Sequence, residues 1–178
     1  MEISVAPLAL VWFALLLLLL PIDWLIAWSV AAVAHELFHC LAIILCRRRI
    51  TGFCVSFNSA KIQTEPLTYG QTLFCAIAGP TGGFLLSICS SHFPQLAFCG
   101  FVQSVFNLLP VYPLDGGRAL DAFTKLIFRE NFSQIICKVV SLTVIHILLL
   151  FCIIAAIMVR SCLPLVIPVI LLLQFRRK

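Results

Sequence analysis

Apolar residues occupy this chain in long runs, and short polar stretches separate the runs. Six of these runs match or approach the length of a membrane span, which needs roughly 20 apolar residues with a tolerance of about 17 to 25. They lie near 4–20, 24–45, 71–91, 95–113 with a continuation to about 128, 139–159 and 162–175. The pattern predicts an all-α polytopic membrane protein with about six transmembrane helices, forming a single membrane-embedded domain over residues 1–178.

The only sizeable polar connection, residues 46–70, joins the second and third apolar runs. Within it, the stretch Ile50–Thr64 places alternating apolar side chains on one side of a possible strand: Phe53, Val55 and Phe57. Asn58-Ser59 has the composition of a turn that reverses the chain. The segment is interpreted either as a small β-hairpin at the membrane surface or as an irregular interfacial loop, and the pattern leaves both open.

Composition and charge support the membrane interpretation. The chain is 62% hydrophobic and 11% charged, whereas soluble domains carry about 25% charged residues. A water-soluble globular protein is therefore excluded. With a cytoplasmic N-terminus, eleven of the twelve basic residues face the cytoplasm and only Arg160 lies outside, as the positive-inside bias requires. The net charge of +5 thus indicates topology and not a nucleic-acid partner.

The nine cysteines are scattered without a Cys-x-x-Cys pair, so no disulfide framework is expected.

The second span contains His35-Glu36-Leu37-Phe38-His39, with three ionisable side chains in five residues. Such residues are costly within a membrane and are functional candidates by default. Residues four apart share a helix face, so both imidazoles can bind one metal ion, while Glu36 beside them can polarise a water. In the competing interpretation the histidines bond neighbouring helices and Glu36 is protonated. That arrangement would place three polar groups in hydrocarbon without a function for them.

A catalytic zinc site usually has three protein ligands and leaves one position for water. Asp115 is the candidate for the third ligand, because it lies in the cytoplasmic part of span four at a depth compatible with His39. Four neighbouring residues should break the helix and line a cavity: Pro110, Pro113, Gly116 and Gly117. Taken alone, Asp115 would instead be a turn carboxylate that caps the following helix segment.

Other candidates for chemistry are weaker. Cys40 follows His39 but points about 100° away around the helix, so it is not expected to bind the same ion. His146 in span five is interpreted as a hydrogen-bonded packing residue. The Gly-x-x-x-Gly spacing of Gly79 and Gly83 indicates close helix packing around the site and not chemistry.

Three motifs together carry a family resemblance: His35-Glu36-x-x-His39, Ala78-Gly79-Pro80, and Asn107 through Leu114-Asp115-Gly116-Gly117. They resemble, in order, the site-2 protease family of intramembrane zinc metalloproteases over about residues 30–120. Within that family, the short Pro-Leu-Asp-Gly-Gly-Arg sequence and the lack of a PDZ domain are most similar to the stage IV sporulation protein FB group. The resemblance implies a catalytic core at about 24–128, with extra helices in 1–23 and 135–178.

The resemblance also implies roles for individual residues. His35, His39 and Asp115 would bind one zinc ion per chain, Glu36 would be the catalytic base, and Asn107 would contact the substrate backbone. The segment 50–64 would match membrane-surface strands, one of which receives substrate as an added strand. The implied reaction is cleavage of a membrane-associated precursor, such as an inactive sigma factor, on the cytoplasmic side.

Taken together, these features predict an integral multi-pass membrane protein with both termini in the cytoplasm. Its expected partners are the lipid bilayer and a membrane-associated protein substrate, without nucleic acid, while regulatory membrane partners and oligomerisation stay open. The main alternative is a membrane zinc transporter or carrier that uses the same His/His/Asp site. A metal-stabilised scaffold is a third interpretation. Transport has no evident use for the carboxylate of Glu36, and a scaffold needs a closed shell of four ligands.

Overall fold

The helices and strands follow the apolar runs of the sequence, with one break and one additional strand. A computed structural model describes residues 2–5, 21–56, 59–160 and 165–176. The chain divides into two compact units, Met1–Phe106 and Asn107–Lys178. The first contains β1 (Glu2–Val5), α1 (Ile22–Leu45), β2 (Ile50–Ser56), β3 (Ser59–Thr64), α2 (Tyr69–Leu86), a 3-10 segment (Ser87–Ser91) and α3, which runs from Pro94 to Asn107. The second contains α4 (Asp115–Ile127), α5 (Glu130–Val159) and α6 (Val166–Arg176).

Three of the predicted spans are confirmed within the described residues. The helical segments that are long and apolar enough to cross a membrane are Ile22–Leu45, Tyr69–Ser91 and Glu130–Met158. Of the first predicted span, residues 6–20 lie outside the described part of the chain. The predicted fourth span is two shorter helices, α3 and α4, and of the sixth the structure describes the 11-residue helix α6.

The connection between α1 and α2 forms the predicted β-hairpin. β2 and β3 pair antiparallel from Ile50 opposite Thr64 to Ser56 opposite Ser59. Asn58, half of the predicted turn, lies outside the described residues, whereas Ser59 is already the first residue of β3. The interpretation as an irregular loop is therefore wrong.

A third strand was not predicted. β1 pairs parallel to β2, from Glu2 opposite Gly52 to Val5 opposite Val55. The order β1-β2-β3 makes β2 central and leaves β3 at one edge of the sheet. Four alternating residues at the start of a long apolar run are too short a pattern to distinguish a strand from the beginning of a helix.

Small side chains allow the helices of the first unit to pack closely. One core cluster joins α1 and α3, with Leu86 and Leu96 against it: Ala27, Ala31 and Cys99. A second cluster joins α1 and α2: Ala42, Ile43 and Cys75. The hairpin packs against this second cluster through Ile50 and Ile62. The β-hairpin thus packs where the C-terminal part of α1 meets the N-terminal part of α2.

Large apolar side chains cover the outer surface of the long helices. Leu37 on α1 is 60% exposed, and Ile147 and Phe151 on α5 are 63% and 69% exposed. Soluble proteins rarely expose extended apolar surface. These faces are therefore suited to contact with lipid.

Candidate active site

The two histidines of the His-x-x-x-His pattern meet at their Nε2 atoms. His35 and His39 lie one turn apart on the buried face of α1, 5% and 7% exposed. Their Nε2 atoms are 3.1 Å apart, and the rings are nearly perpendicular, with centroids 4.7 Å apart. As the sequence predicts, the helical period directs both imidazoles towards one point.

A backbone carbonyl determines which nitrogen of His39 carries the proton. The Nδ1 of His39 lies 2.7 Å from the carbonyl oxygen of Cys75 on α2. A carbonyl oxygen only accepts hydrogen bonds, so Nδ1 is the donor, and in the neutral ring Nε2 then presents a lone pair. Histidines that bind metals characteristically donate their other ring N–H to such a partner.

The spacing of the two Nε2 atoms fits zinc. Two nitrogens bound tetrahedrally at the usual Zn–N distance of about 2.0–2.1 Å lie about 3.3 Å apart. The observed 3.1 Å is close to this value. The donor atoms of His35 and His39 are thus arranged to share one zinc ion.

Gly79 on α2 makes room for both imidazole rings. A Cβ atom at Gly79 would lie less than 3.0 Å from the Nε2 of His35 and from the Nε2 and Cε1 of His39. Real Cβ atoms do not approach other atoms so closely. The sequence indicated close packing at Gly79. It could not indicate that the two histidines are the packing partners, because that depends on how α1 and α2 cross.

Glu36 occupies the position between the histidines in sequence and is half-buried on α1. Adjacent helical residues point about 100° apart, so its carboxylate leaves the helix beside the face that holds the two rings. Asn107, the predicted substrate contact, is the last residue of α3 and is also half-buried.

Asp115 begins α4 in the second unit and is 8% exposed. A carboxylate at a helix N-terminus is favoured by the helix dipole. Its Oδ1 lies 3.7 Å from Nη1 of the half-exposed Arg118. The N-cap position belongs to Leu114, and no side chain caps it. Asp115 is thus the first helical residue and not the N-cap residue.

The helix breaks before Asp115, as the two prolines predict, but the glycine pair does not break it. Gly116 and Gly117 lie in the first turn of α4. A Cβ at Gly116 would lie less than 3.0 Å from the carbonyl oxygens of Leu108 and Leu109. The glycines therefore allow the preceding loop to fold onto the helix start.

Burial separates these residues from the other polar candidates. Among the histidine, aspartate and glutamate side chains that the structure describes, only three are buried: His35, His39 and Asp115. A buried carboxylate is costly unless it is paired or binds a metal ion. The chain thus contains a buried His/His/Asp set of the residue types that bind zinc.

The remaining candidates have other environments. His146 is exposed on α5, so its prediction as a packing residue is wrong, although its Nδ1 does donate to the carbonyl oxygen of Leu142 at 2.6 Å. His92 is exposed as well. Asp121 accepts a hydrogen bond from Lys125 at 2.9 Å, which identifies it as part of an ion pair.

Comparisons with known proteins found a matching family model and a similar solved structure. The sequence profile described as Peptidase family M50 matches residues 86–151, which include Asn107 and Asp115. A search of curated proteins gave no match. The fold is similar to that of "Site-2 Protease from Methanocaldococcus jannaschii", with a TM-score of 0.67 and 21% identity over 96% of this chain and 85% of that one. The chain is therefore similar to M50 peptidases over residues 86–151, and it has a fold like that of a site-2 protease.

Proposed function

We propose that this chain is an intramembrane zinc endopeptidase. It hydrolyses a peptide bond in or near a membrane segment of a precursor protein, and one zinc ion is bound by His35, His39 and Asp115. The observation that carries the proposal is the pair of Nε2 atoms 3.1 Å apart, one of them fixed in its metal-binding tautomer by the Cys75 carbonyl.

The chemistry divides between the metal and Glu36. A zinc ion held by His35, His39 and Asp115 would lower the pKa of a water towards about 7 and polarise the scissile carbonyl. The carboxylate of Glu36 accepts the proton of the attacking water and passes it to the leaving nitrogen. The Cys75 carbonyl holds the ring of His39 in place throughout. The side-chain amide of Asn107 binds the substrate backbone.

The substrate segment must be extended before it is cleaved. In an intact helix each carbonyl accepts a hydrogen bond from the residue four positions later. β3 is an edge strand, and an edge strand can pair with an added peptide. Its hairpin packs against a cluster of α1 and α2 residues that contains Cys75, and we place the added strand at the free edge of β3. Cleaved substrates should therefore carry Gly, Pro or Asn near the cytoplasmic interface.

The biological setting extends the same proposal. Both units act as one membrane-embedded domain, the active site faces the cytoplasm, and the reaction releases a regulatory protein from a membrane-associated precursor. The Pro113–Arg118 sequence favours a precursor of the kind cleaved by the stage IV sporulation protein FB group. If cells that co-express the protein with a panel of such precursors cleave none of them, this assignment is wrong.

Replacement of Glu36 by Gln distinguishes a protease from a zinc carrier. The protein, reconstituted with single-span reporters that carry Gly-Pro near the cytoplasmic interface, should cleave them, and Glu36→Gln should abolish cleavage while zinc stays bound. Asp23→Asn is the matched control, because Asp23 is an exposed carboxylate near the other end of the same helix. Zinc uptake into vesicles by Glu36→Gln, or undiminished cleavage by it, would contradict the proposal.

A further inference from the structure

A buried hydroxyl group on α3 contacts the part of α2 that packs against the histidines. Ser104 is fully buried, and its Oγ donates a hydrogen bond to the carbonyl oxygen of Pro80 at 2.8 Å. Pro80 directly follows Gly79, whose missing side chain makes room for the rings of His35 and His39. The hydrogen bond from α3 therefore lies one residue from the histidine contact.

α2 and α3 approach each other closely beside the hydrogen bond between Ser104 and Pro80. A Cβ at Gly83 would lie less than 3.0 Å from the Oγ of Ser104 and from the carbonyl oxygen of Gly100. A Cβ at Gly100 would likewise lie less than 3.0 Å from the carbonyl oxygen of Gly83. Small residues at such crossings permit close helix association in membranes. α2 therefore has little room to shift towards α3.

α2 also determines the state of His39. The Cys75 carbonyl, one turn before Gly79, accepts the Nδ1 proton of His39 at 2.7 Å. The strength of a hydrogen bond falls steeply once distance and angle depart from their favoured ranges. A displacement of α2 that takes this contact outside those ranges thus weakens the interaction that keeps the proton on Nδ1.

We propose that Ser104 is a positioning residue of the metal centre. Its hydroxyl group fixes α2 at Pro80, and α2 in turn fixes the tautomer and orientation of His39 through the Cys75 carbonyl. The proposal rests on the function proposed above, since it assigns zinc binding to the nitrogen that this tautomer presents. Ser104 itself contacts neither substrate nor metal.

The test compares Ser104→Ala with Thr81→Ala in the full-length protein in detergent. Thr81→Ala also removes a hydroxyl group, but the Oγ1 of Thr81 is exposed and donates to the Ala78 carbonyl within α2. Loss of the hydrogen bond from Ser104 should weaken zinc binding about three- to tenfold, measured by competition with a chelator. Thr81→Ala should bind zinc as the wild type does.

A second measurement needs no metal. Nitrogen-15 NMR of the zinc-free protein should show the Nδ1–H tautomer of His39 in the wild type and in Thr81→Ala, and a mixture of tautomers in Ser104→Ala. Gly83→Ala, which forces α2 and α3 apart, should give the same mixture.

The outcomes separate this proposal from the proposed function. A wild type that binds no zinc overturns the proposed function, whereas the tautomer measurement still decides the role of Ser104. Unchanged zinc affinity and an unchanged tautomer in Ser104→Ala overturn the positioning role and leave the protease proposal intact.

Discussion

The Nδ1 of His39 lies 2.7 Å from the carbonyl oxygen of Cys75, so a main-chain atom of α2 selects the ring nitrogen that is presented to a metal ion. The acceptor is the backbone and not the thiol, although Cys75 is a residue type that often binds zinc. The hydrogen bond between residue 75 and His39 therefore does not require the Cys75 side chain.

This relationship predicts different results for two substitutions. Cys75→Ala keeps the carbonyl and should retain wild-type zinc affinity, with a loss in unfolding free energy of about 1 kcal/mol for the smaller side chain in its buried cluster. His39→Ala should abolish zinc binding. Metal analysis of the purified variants and a thermal unfolding series check both results. Loss of zinc from Cys75→Ala would show that the thiol is a ligand.

Gly79→Ala should disrupt the site by steric conflict. The added methyl group would occupy space taken by the rings of His35 and His39, so α2 must shift or the rings must rotate. We expect zinc affinity to fall at least about tenfold, as for other losses of support around a metal ligand. A chelator competition assay measures this change.

Gly70→Ala is the matched control, because a Cβ at Gly70 in the first turn of α2 would have no atom within 4 Å. The same glycine-to-alanine change should leave zinc affinity unaltered there. Equal losses in the two variants would point to a general effect on α2 and would contradict the role of Gly79.

Local periodicity was sufficient to predict the histidine pair, because residues four apart on a helix share a face wherever the helix lies. Periodicity left the hairpin and an irregular loop both open, and the prolines predicted the helix break before Asp115. It could not identify Gly79 as the histidines' neighbour or Ser104 as the partner of Pro80, since both depend on how separate helices cross. Gly116 and Gly117 were misinterpreted for a related reason. Glycine normally weakens a helix, but here the absence of a side chain admits the preceding loop.

The environment of His146 shows a different limit. A histidine in an apolar run is expected to face protein, yet this side chain is exposed and bonds the carbonyl of its own helix one turn earlier. That intrahelical hydrogen bond satisfies one ring nitrogen without a neighbouring helix. The same apolar run surrounds His146 whether its side chain faces protein or is exposed, so the sequence pattern did not distinguish these two orientations.

The assignment of Asp115 as third ligand predicts that Asp115→Asn binds zinc much more weakly than the wild type. The loss should exceed the roughly 10- to 100-fold reduction seen when outer partners of a metal site are removed. Folding should change little, because asparagine has nearly the shape of aspartate and its introduction removes a buried charge, which is costly unless it is paired. Asp121→Asn, which removes one carboxylate from the same helix and breaks its ion pair with Lys125, is the control and should keep its zinc. Zinc content and chelator competition measure both variants, and an Asp115→Asn protein that retains one tightly bound zinc per chain would require a different third ligand.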